Sequence, residues 1–560
     1  MYKAITNIQL CLIKNCKICR CVCTFAVINV FAMRLKNILL ILCCCLAYVS
    51  RSQNAAPAKG EIIYHVFQRS FYDGNGDLHG DFNGLRSKLG YLQNLGVTSI
   101  LTIPIYESVY YHNYFASDYN KVDPRYGTMQ DFIQLVKEVH RRGMKLYLDM
   151  ETQYITEDQL WWKDAYGNTQ SKYSDYILWD DSANKKPSSI VFGVHGLTGY
   201  NNVAKQITTA NLYSKGVQEY NYQLFKKFVD PNSDGKFDDG VDGFRLDHMM
   251  DDLDVKHRLT NLFDKFWGPL LAKLKQINPA LIITAEQADW NDYGNDYLDS
   301  GHVDRVFAFN LQKAIASFNK AELAKAVDNT FTTKLVNNQV VFIENHDMKR
   351  FASAVGKNPG KERVGAALNI LLGGTPSIYY GQELGMFGAG GFGRFGSTDG
   401  NDIPMREAFE WYKADTGKGM AIWYKNTGGW WDSTNLIPND GVSLEEEQND
   451  PQSLYNFYRN IIKVRQSNPA LYKGTTLVDY NNSNNNANVF SFMRLDNKTV
   501  IFISVNLSNT QQTFTSQFIL KTGNGKAVTK RLFGHEDITV DAKTISATLP
   551  AYAVDVWELP

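Results

Sequence analysis

Cysteine is absent from most of this chain. All eight cysteines fall within the first 45 residues, and the last three are Cys43, Cys44 and Cys45. The rest of the chain therefore contains no disulfide, although an oxidising compartment would permit one. Cys16 and Cys19 have the spacing of half a zinc site, but no second ligand pair follows, and we assign both to a leader.

Acidic residues are missing from the same N-terminal segment. Residues 1–52 contain seven lysines and arginines and no aspartate or glutamate. The whole chain has 58 basic and 58 acidic residues, so residues 53–560 hold 51 basic and 58 acidic ones, a net charge of −7. A chain with this surplus of negative charge is not expected to bind nucleic acid.

Long hydrophobic runs are also scarce. The basic segment 33–36 precedes the apolar run NILLILCCCLAYV, and small residues follow before Gln53. This order predicts a secretory signal that is removed near Gln53, and the run is too short for a membrane span. We expect a secreted or periplasmic protein, with Met33 as an alternative start to Met1. A lipoprotein anchor at the three adjacent cysteines ranks below this because no small residues precede them.

What the chain does contain, from about Gly60, is an alternation of apolar β-rich runs and amphipathic helical ones. The strand candidates are EIIYHVF, VTSILTIPI, MKLYLDM, GVDGFRLD, ALIITAE, DRVFAFN, QVVFIEN and TPSIYYG. Eight strand–helix units predict an α/β fold, a (β/α)8 barrel.

The predicted organisation has five segments. The leader occupies 1–52, and the catalytic barrel begins in 53–150. Residues 151–210 are too many for a simple loop and predict a small inserted subdomain after the third strand. The barrel resumes over 211–470. Short alternating strands with turn-rich connections over 471–560 predict a C-terminal antiparallel β-sandwich domain.

Carboxylates stand at the ends of three predicted strands. The fourth strand ends in Asp247, the fifth in Glu286, and the seventh leads to His346 and Asp347. In such barrels the chemistry lies at the C-terminal ends of the strands, so the three should converge. Arg245 lies two positions before Asp247 and therefore shares its face of the strand.

A single carboxylate at a strand end is more often a helix cap or a turn residue than a catalytic group. Three on separate strands, one of them beside an inward arginine, indicate a site. Arg245 is expected to keep Asp247 ionised, whereas the apolar strand before Glu286 favours its protonated form. An ionised carboxylate beside a protonated one is the pair that glycoside hydrolysis requires.

With these residues, the sequence from about Gly60 onward resembles the α-amylase family, glycoside hydrolase family 13. GFRLD, ITAE and ENHD resemble three of its motif strands, and GVTSILTIPIYES and GGTPSIYYGQE resemble its second and eighth strands. The resemblance implies that Asp247 is the nucleophile, Glu286 the proton donor and Asp347 the stabiliser of the transition state. It also implies that Arg245 and His346 lie against the bound sugar.

The segment YHNY resembles the family's YHGY. This implies that Tyr114 is the stacking platform for the sugar beside the cleaved bond, with His112 nearby. Without the other motifs, a packed loop aromatic would be the simpler interpretation of Tyr114.

Two stretches depart from the family pattern. The third strand usually reads Asp-x-x-x-Asn-His, but here Gln153 replaces the asparagine and Tyr154 the histidine. The calcium that relatives bind with that asparagine is therefore not expected, and Tyr154 becomes the candidate for the sugar contact of that histidine. Met250 and Asp251 replace a Lys-His pair after the nucleophile, so contacts on the leaving-group side must differ.

Two Asp-rich loops are candidate metal sites. In the first loop, alternating oxygen ligands suit calcium, or magnesium as the alternative, and relatives bind such a cation there. Its candidate ligands are Asp73, Asn75, Asp77, His79 through its carbonyl, and Asp81. The second loop begins like an EF-hand loop but lacks the closing glutamate, for which Asp238 or Asp242 is the substitute. Its other candidate ligands are Asp230, Asn232 and Asp234. A polar turn is the alternative for both loops.

These features predict a retaining α-glucan hydrolase, an endo-acting α-amylase that cleaves α-1,4 bonds of starch or malto-oligosaccharides. A cyclodextrinase, a neopullulanase and an α-glucan transglycosylase share the same machinery and are the enzymatic alternatives. An exo-acting α-glucosidase ranks below them because Tyr111 stands where such relatives commonly have an aspartate. A glycan-binding barrel without activity is the alternative from another class, but such proteins lose catalytic carboxylates and this chain keeps three.

Overall fold

The computed structural model describes residues 60–331, 338–391, 393–478, 485–496, 499–517, 529–541 and 544–559. The predicted leader, residues 1–52, lies outside this set, so the expectation of a cleaved signal stays a prediction. Within the described part of the chain, no helix is both long and apolar enough to cross a bilayer.

Eight parallel strands close into a barrel, and each pairs with its neighbour in sequence. They are β1 Ile63–Val66, β2 Ser99–Thr102, β3 Lys145–Met150, β4 Gly243–Met249, β5 Ile282–Gln287, β6 Arg305–Phe307, β7 Gln339–Val341 and β8 Thr375–Tyr379. Strand β8 pairs with β1, which completes the circle. The predicted (β/α)8 barrel is confirmed. Its strands are nearly continuous apolar runs because helices cover the outer face and side chains fill the inner one.

The helix Met129–Arg141 shows how the sequence forms the outer layer. Thr128 and Asp131 form a reciprocal capping box at its first turn. Four apolar residues at helical spacing are buried against the barrel: Phe132, Leu135, Val136 and Val139. Gly143, with φ of 71°, permits the left-handed turn that leads into β3.

Among the remaining helices, longer ones such as Lys215–Val229 and Gly268–Ile277 follow the same principle and bury apolar side chains on their inner face. The α-helices are Phe82–Ser87, Leu89–Leu95, Leu160–Ala165, Lys215–Val229, Gly268–Ile277, Asn295–Asp299, Phe309–Ser317, Lys320–Phe331, Phe351–Ala354, Pro359–Leu371, Gly429–Asp432, Leu444–Glu447, Leu454–Ser467 and Pro469–Lys473.

Two insertions stand at the C-terminal rim of the barrel. A two-stranded sheet of Tyr106–Glu107 and Asp118–Val122 follows β2. After β3, a three-stranded antiparallel sheet forms from Tyr154–Thr156, Gly196–Thr198 and Ala204–Thr209. We refer to residues 151–210, which contain this second sheet, as the inserted subdomain.

The C-terminal region is antiparallel. One five-stranded sheet contains β9 Thr475–Val478, β10 Val489–Leu495, β11 Val500–Asn506, β13 Lys530–Phe533 and β16 Val554–Leu559. A three-stranded sheet contains β12 Gln512–Gln517, β14 Thr539–Val540 and β15 Thr544–Leu549. Phe502, Phe514 and Trp557 join the two sheets in one apolar core, so the predicted fold class is confirmed.

Candidate active site

Three carboxylates meet one guanidinium at the carboxyl ends of adjacent strands. Asp149 lies near the end of β3, Arg245 and Asp247 on β4, and Glu286 on β5. The strand register pairs Asp149 with Arg245, because parallel neighbours run side by side to the same rim. The structure therefore brings Asp247 and Glu286 together, as the sequence predicted, and adds Asp149.

Arg245 is the centre of this group. Its Nη1 donates to Asp149 Oδ2 at 2.7 Å and also contacts Asp247. Its Nη2 lies 3.0 Å from Glu286 Oε2. Only 2% of the Arg245 side chain is exposed, so these contacts are shielded from water. One planar fork thus orients the two carboxylates to which the sequence assigned catalysis.

Negative charge exceeds positive charge in this cluster. Burial raises the pKa of Asp247 well above its ordinary value; Arg245 opposes the rise, and Glu286 and Asp149 add to it. Burial likewise raises the pKa of Asp149, against the opposing effect of Arg245. The expected effect of Arg245, which is to keep Asp247 ionised, is therefore opposed by burial and by the neighbouring carboxylates. Such surroundings favour retention of a proton within the cluster.

Asp347 belongs to a second group at the same rim. Its side chain is half-exposed, its Oδ2 lies 3.0 Å from His346 Nε2, and its Oδ1 lies 3.0 Å from Arg406 Nη2. Arg406 Nε also donates to the His346 carbonyl at 2.8 Å. Burial by itself raises the pKa of Asp347, but His346 and Arg406 outweigh it and keep the pKa below its ordinary value. Asp347 is therefore ionised, whereas burial disfavours the ionised forms of Asp247 and Asp149.

Tyr114 links the two groups. Its hydroxyl donates to Asp149 Oδ2 at 2.7 Å. Its ring stacks on His346, with centroids 5.2 Å apart and planes 8° from parallel. The Tyr114 backbone N–H donates to His112 Nδ1 at 3.1 Å, and burial lowers the pKa of His112, which keeps that ring neutral. Tyr114 thus contacts both groups and His112 adjoins Tyr114, and the role of Tyr114 as a stacking platform for the sugar stays a prediction.

Besides Asp149, two further residues of the site were missed by the sequence reasoning. Arg406 directly follows the 3-10 helix Asp399–Met405 in the segment after β8, and no sequence motif indicated it. His65 lies on β1, and its ring meets that of His346 edge to face at 5.1 Å. Burial lowers the pKa of His65, so it is neutral. An inward polar residue in the apolar strand EIIYHVF was the signal that could have identified it.

Tyr154 occupies a different position from the one expected of a sugar contact. It is buried, and its hydroxyl donates to Asp254 rather than to any residue of the carboxylate cluster. Asp254 Oδ1 also lies 3.3 Å from Nε2 of His248, the residue that follows Asp247. Tyr154 therefore contacts the segment after β4 through Asp254, and a contact of Tyr154 with the sugar stays a prediction.

Gln153 has a structural task at the point where the sequence departs from the family. Its Nε2 donates to the Asp247 carbonyl at 2.7 Å and to the His248 carbonyl at 3.3 Å. The amide thus fixes the backbone beneath Asp247. Its Oε1 accepts from the Thr152 backbone N–H at 2.8 Å, so both ends of the amide are bound to backbone groups.

The first Asp-rich loop is folded around its own carboxylates. Asp73 Oδ1 accepts from the Asn75 and Gly76 backbone N–H groups at 3.0 and 2.6 Å. Asp77 Oδ1 accepts from the His79 N–H at 2.9 Å, and Asp77 also pairs with Arg125. Asp81 caps the helix Phe82–Ser87 through the Gly84 N–H. The remaining lone pairs are hard oxygen donors of the kind calcium prefers, and the loop fits that ion chemically.

The second loop is formed in the same way at its start and differs at its end. Asp230 accepts from the Asp234 and Gly235 N–H groups at 3.2 and 2.9 Å, and Asn232 accepts from Asp234 at 2.9 Å. Asp242 Oδ2 instead bonds His140 Nε2 at 2.9 Å, and His140 Nδ1 reaches the Asp238 carbonyl at 2.9 Å. Among the described residues, no group of three or more His, Cys, Asp or Glu side chains is gathered closely enough to hold a metal. This finding applies to both Asp-rich loops, and in the second loop the contact with His140 also engages the Asp242 carboxylate.

Known proteins resemble this chain over most of its length. A sequence model described as alpha amylase, catalytic domain, matches residues 65–474. Alpha-amylase 3 of Dictyoglomus thermophilum is 30% identical over 460 residues, which cover 80% of this chain and 85% of that protein. A probable oligo-1,6-glucosidase 3 of Bacillus subtilis is 25% identical over 542 residues, which cover 81% of this chain and 92% of that protein.

A solved structure shows the same architecture. The alpha-amylase from H. orenii superposes with a TM-score of 0.73 and 28% identity, covering 90% of this chain and 100% of its own. The similarity therefore spans more than the strands that carry the carboxylates.

Proposed function

The chain belongs to the α-amylase family, glycoside hydrolase family 13, and from that premise we propose that it hydrolyses α-1,4-glucosidic bonds of starch or malto-oligosaccharides, in an endo-acting manner and with retention of configuration. The observation that carries this proposal is the single buried guanidinium of Arg245, which contacts both Asp247 and Glu286. A retaining glycosidase needs a nucleophile and a proton donor that flank the scissile bond, with their carboxyl groups about 5–5.5 Å apart.

In the first step, Asp247 attacks the anomeric carbon while Glu286 gives its proton to the leaving glycosidic oxygen. The carbon–oxygen bond breaks as the ester bond to Asp247 forms. In the second step, Glu286 takes a proton from water, which attacks the same carbon and releases Asp247. Two inversions at one carbon return the α-anomer.

Arg245 keeps the Asp247 carboxylate oriented and favours its ionised form as the ester is released. Asp347 stays ionised between His346 and Arg406 and stabilises the positive charge that develops on the sugar. Tyr114 and His346 offer the ring surfaces and hydrogen-bond donors beside that sugar.

The decisive experiment is a product profile on amylose, pullulan and cyclodextrin, with the Asp247→Asn variant as the inactive control. Endo-cleavage predicts a rapid fall in viscosity and a mixture of α-anomeric oligosaccharides from amylose. Glucose released alone from chain ends, or an initial β-anomer, would contradict the proposal.

A second specificity, cleavage of α-1,6 bonds, is favoured by one observation, the similarity to a protein named as a probable oligo-1,6-glucosidase. Cleavage of pullulan or cyclodextrin in preference to amylose would favour the neopullulanase or cyclodextrinase alternative. Longer products than the substrate would favour transglycosylation, and binding of amylose without turnover would favour a glycan-binding barrel.

For the first Asp-rich loop we propose calcium, with magnesium as the alternative, bound by Asp73, Asn75, Asp77, the His79 carbonyl and Asp81. The ion would neutralise the three carboxylates and fix the segment after β1. The second loop is proposed as a weaker calcium site. Elemental analysis of the purified protein tests both proposals.

We further propose that the protein is exported and that residues 1–52 are removed. The basic and apolar order of residues 33–49 supports this proposal. N-terminal sequencing of the exported protein should begin near Gln53. A mature chain that still contains Cys43 would contradict it and favour a lipid anchor.

A further inference from the structure

A cavity that is partly lined by the inserted subdomain is not used by the proposed chemistry. Its volume is about 760 Å³, within the range of sites that bind small molecules. It lies between the sheet formed by Tyr106–Glu107 and Asp118–Val122 and the helix Leu160–Ala165. None of the residues that line it belongs to the carboxylate cluster or to the Asp347 group.

One wall of the cavity is aromatic. The buried Trp161 ring meets Tyr176 and Tyr220 edge to face, with centroids 5.1 and 4.9 Å apart. Tyr173 in turn contacts Tyr176 at 5.1 Å. The three tyrosines are only partly buried, so they present fixed ring surface and a polar hydroxyl to whatever enters.

The lining also carries charges of both signs, some on the two-stranded sheet and some on residues 158–172 of the inserted subdomain. Lys121 lies 3.4 Å from Glu107 and 3.3 Å from Asp118, and Lys163 lies 3.4 Å from Asp158. With Lys172, the lining contains three lysines and three carboxylates. A strongly anionic ligand such as a nucleotide would find no net attraction here. A neutral molecule with many hydroxyl groups would find both donors and acceptors.

From the aromatic wall, the balanced charge and the volume, we propose that this cavity is a second carbohydrate site, which binds a segment of α-glucan without cleaving it. The choice of α-glucan rests on the proposed function. The cavity adjoins the three-stranded sheet at the catalytic rim. The hydroxyl of Ser117, which lines the cavity, forms a hydrogen bond of 3.1 Å with the hydroxyl of Thr156 in the strand Tyr154–Thr156. A polymer bound here is kept near the cleft while other segments of it are cut.

The test compares the double variant Tyr173→Ala/Lys163→Ala with Tyr166→Ala, an exposed tyrosine of the same subdomain that does not line the cavity. Binding is measured by retardation in gels that contain amylopectin, with every protein also carrying Asp247→Asn so that the polymer survives. We expect the double variant to bind about five- to tenfold more weakly, the loss that removal of two contacts produces. Tyr166→Ala should bind like the parent.

The same substitutions in the active enzyme should leave kcat/KM on a short aryl maltoside and the thermal midpoint unchanged, which shows that the variants are folded. Equal retardation of parent and double variant, with hydrolysis of the short substrate intact, would overturn the second site and leave the proposed function standing. Failure of the unsubstituted enzyme to hydrolyse any α-glucan would overturn both.

Discussion

Replacing Arg245 by leucine removes the guanidinium that contacts Asp149, Asp247 and Glu286. All three carboxyl groups are largely buried, and leucine can neither donate to them nor balance their charge. Breaking a buried ion pair by removing one partner costs about 3–5 kcal/mol, because an uncompensated charge stays behind. We therefore expect Arg245→Leu to lose about that much free energy of unfolding at neutral pH.

The pH dependence of this loss follows from the pKa directions. Burial already raises the pKa of Asp247 and of Asp149, and Arg245 opposes the rise in both. Without Arg245 both pKa values rise further, so the folded variant holds protons that its unfolded chain releases. A group with a raised folded-state pKa makes stability fall as pH increases. The variant should be closest to the unsubstituted protein in acid, and its deficit should grow toward neutral pH.

The pH dependence of activity should also change, because it depends on the same pKa of Asp247. Asp247 attacks only when ionised, so a higher pKa moves the acidic limb of the kcat/KM profile to higher pH. A loss of even ~1.4 kcal/mol of favourable interaction with the carboxylate corresponds to about one pH unit. We expect a shift of at least that size, measured on a malto-oligosaccharide between pH 4 and pH 8.

Arg305→Leu is the matched control. Arg305 Nη2 lies 2.6 Å from Glu61 Oε2 at the opposite end of the barrel, and it too is largely buried. Burial by itself raises the pKa of Glu61, but Arg305 together with the Ser99 and Tyr147 hydroxyls outweighs it and lowers the pKa to about 2. That pair contributes stability above the ordinary pKa of a glutamate and loses it in acid. Arg305→Leu should be destabilised yet keep the original acidic limb. If Arg245→Leu also kept that limb, the charge relation between Arg245 and Asp247 would be wrong.

Three further predictions concern other residues of the site. Glu286→Gln should be severely slow on starch but much less impaired on an α-glycosyl fluoride, whose departure needs no proton; mass spectrometry should then detect the glycosyl-enzyme on Asp247, and equal impairment on both substrates would remove Glu286 from the acid role. Arg406→Ala should raise the pKa of Asp347 and lower kcat/KM on malto-oligosaccharides by about tenfold or more, with partial recovery in Arg406→Lys; an unchanged profile would show that Arg406 only packs. Chelation should lower the thermal midpoint, because an ion bound only to the folded state stabilises it by ~2.7 kcal/mol at a hundredfold excess over its dissociation constant; an unchanged midpoint together with no bound calcium or magnesium would refute the metal loops.

Much of the fold followed from local patterns. The eight apolar runs became the eight barrel strands, because a parallel strand covered on both faces must be apolar throughout. The helix after Thr128 followed from its cap and its spacing of apolar residues. The carboxylates at strand ends were visible for the same reason: a barrel turns the carboxyl ends of all its strands to one rim.

The residues that contact those carboxylates could not be predicted from the sequence. That Arg245 and Asp247 share a face follows from the two-residue period of one strand. That Arg245 also reaches Asp149 and Glu286 depends on how β3, β4 and β5 are aligned within the closed barrel. Arg406 depends on the path of the segment after β8, which has no periodic pattern to read.

The balance of burial against pairing was also decided by the tertiary structure. From the sequence, an arginine beside an aspartate indicated an ionised carboxylate. In the fold, burial and three further carboxylates raise the pKa of Asp247 against Arg245. The tertiary structure likewise decided that the Tyr154 hydroxyl donates to Asp254. A sequence determines which groups a strand presents and on which face, since that depends on backbone geometry over a few residues. Which charges share one buried space, and how much water remains among them, depends on elements far apart in the chain, and those are brought together only by folding.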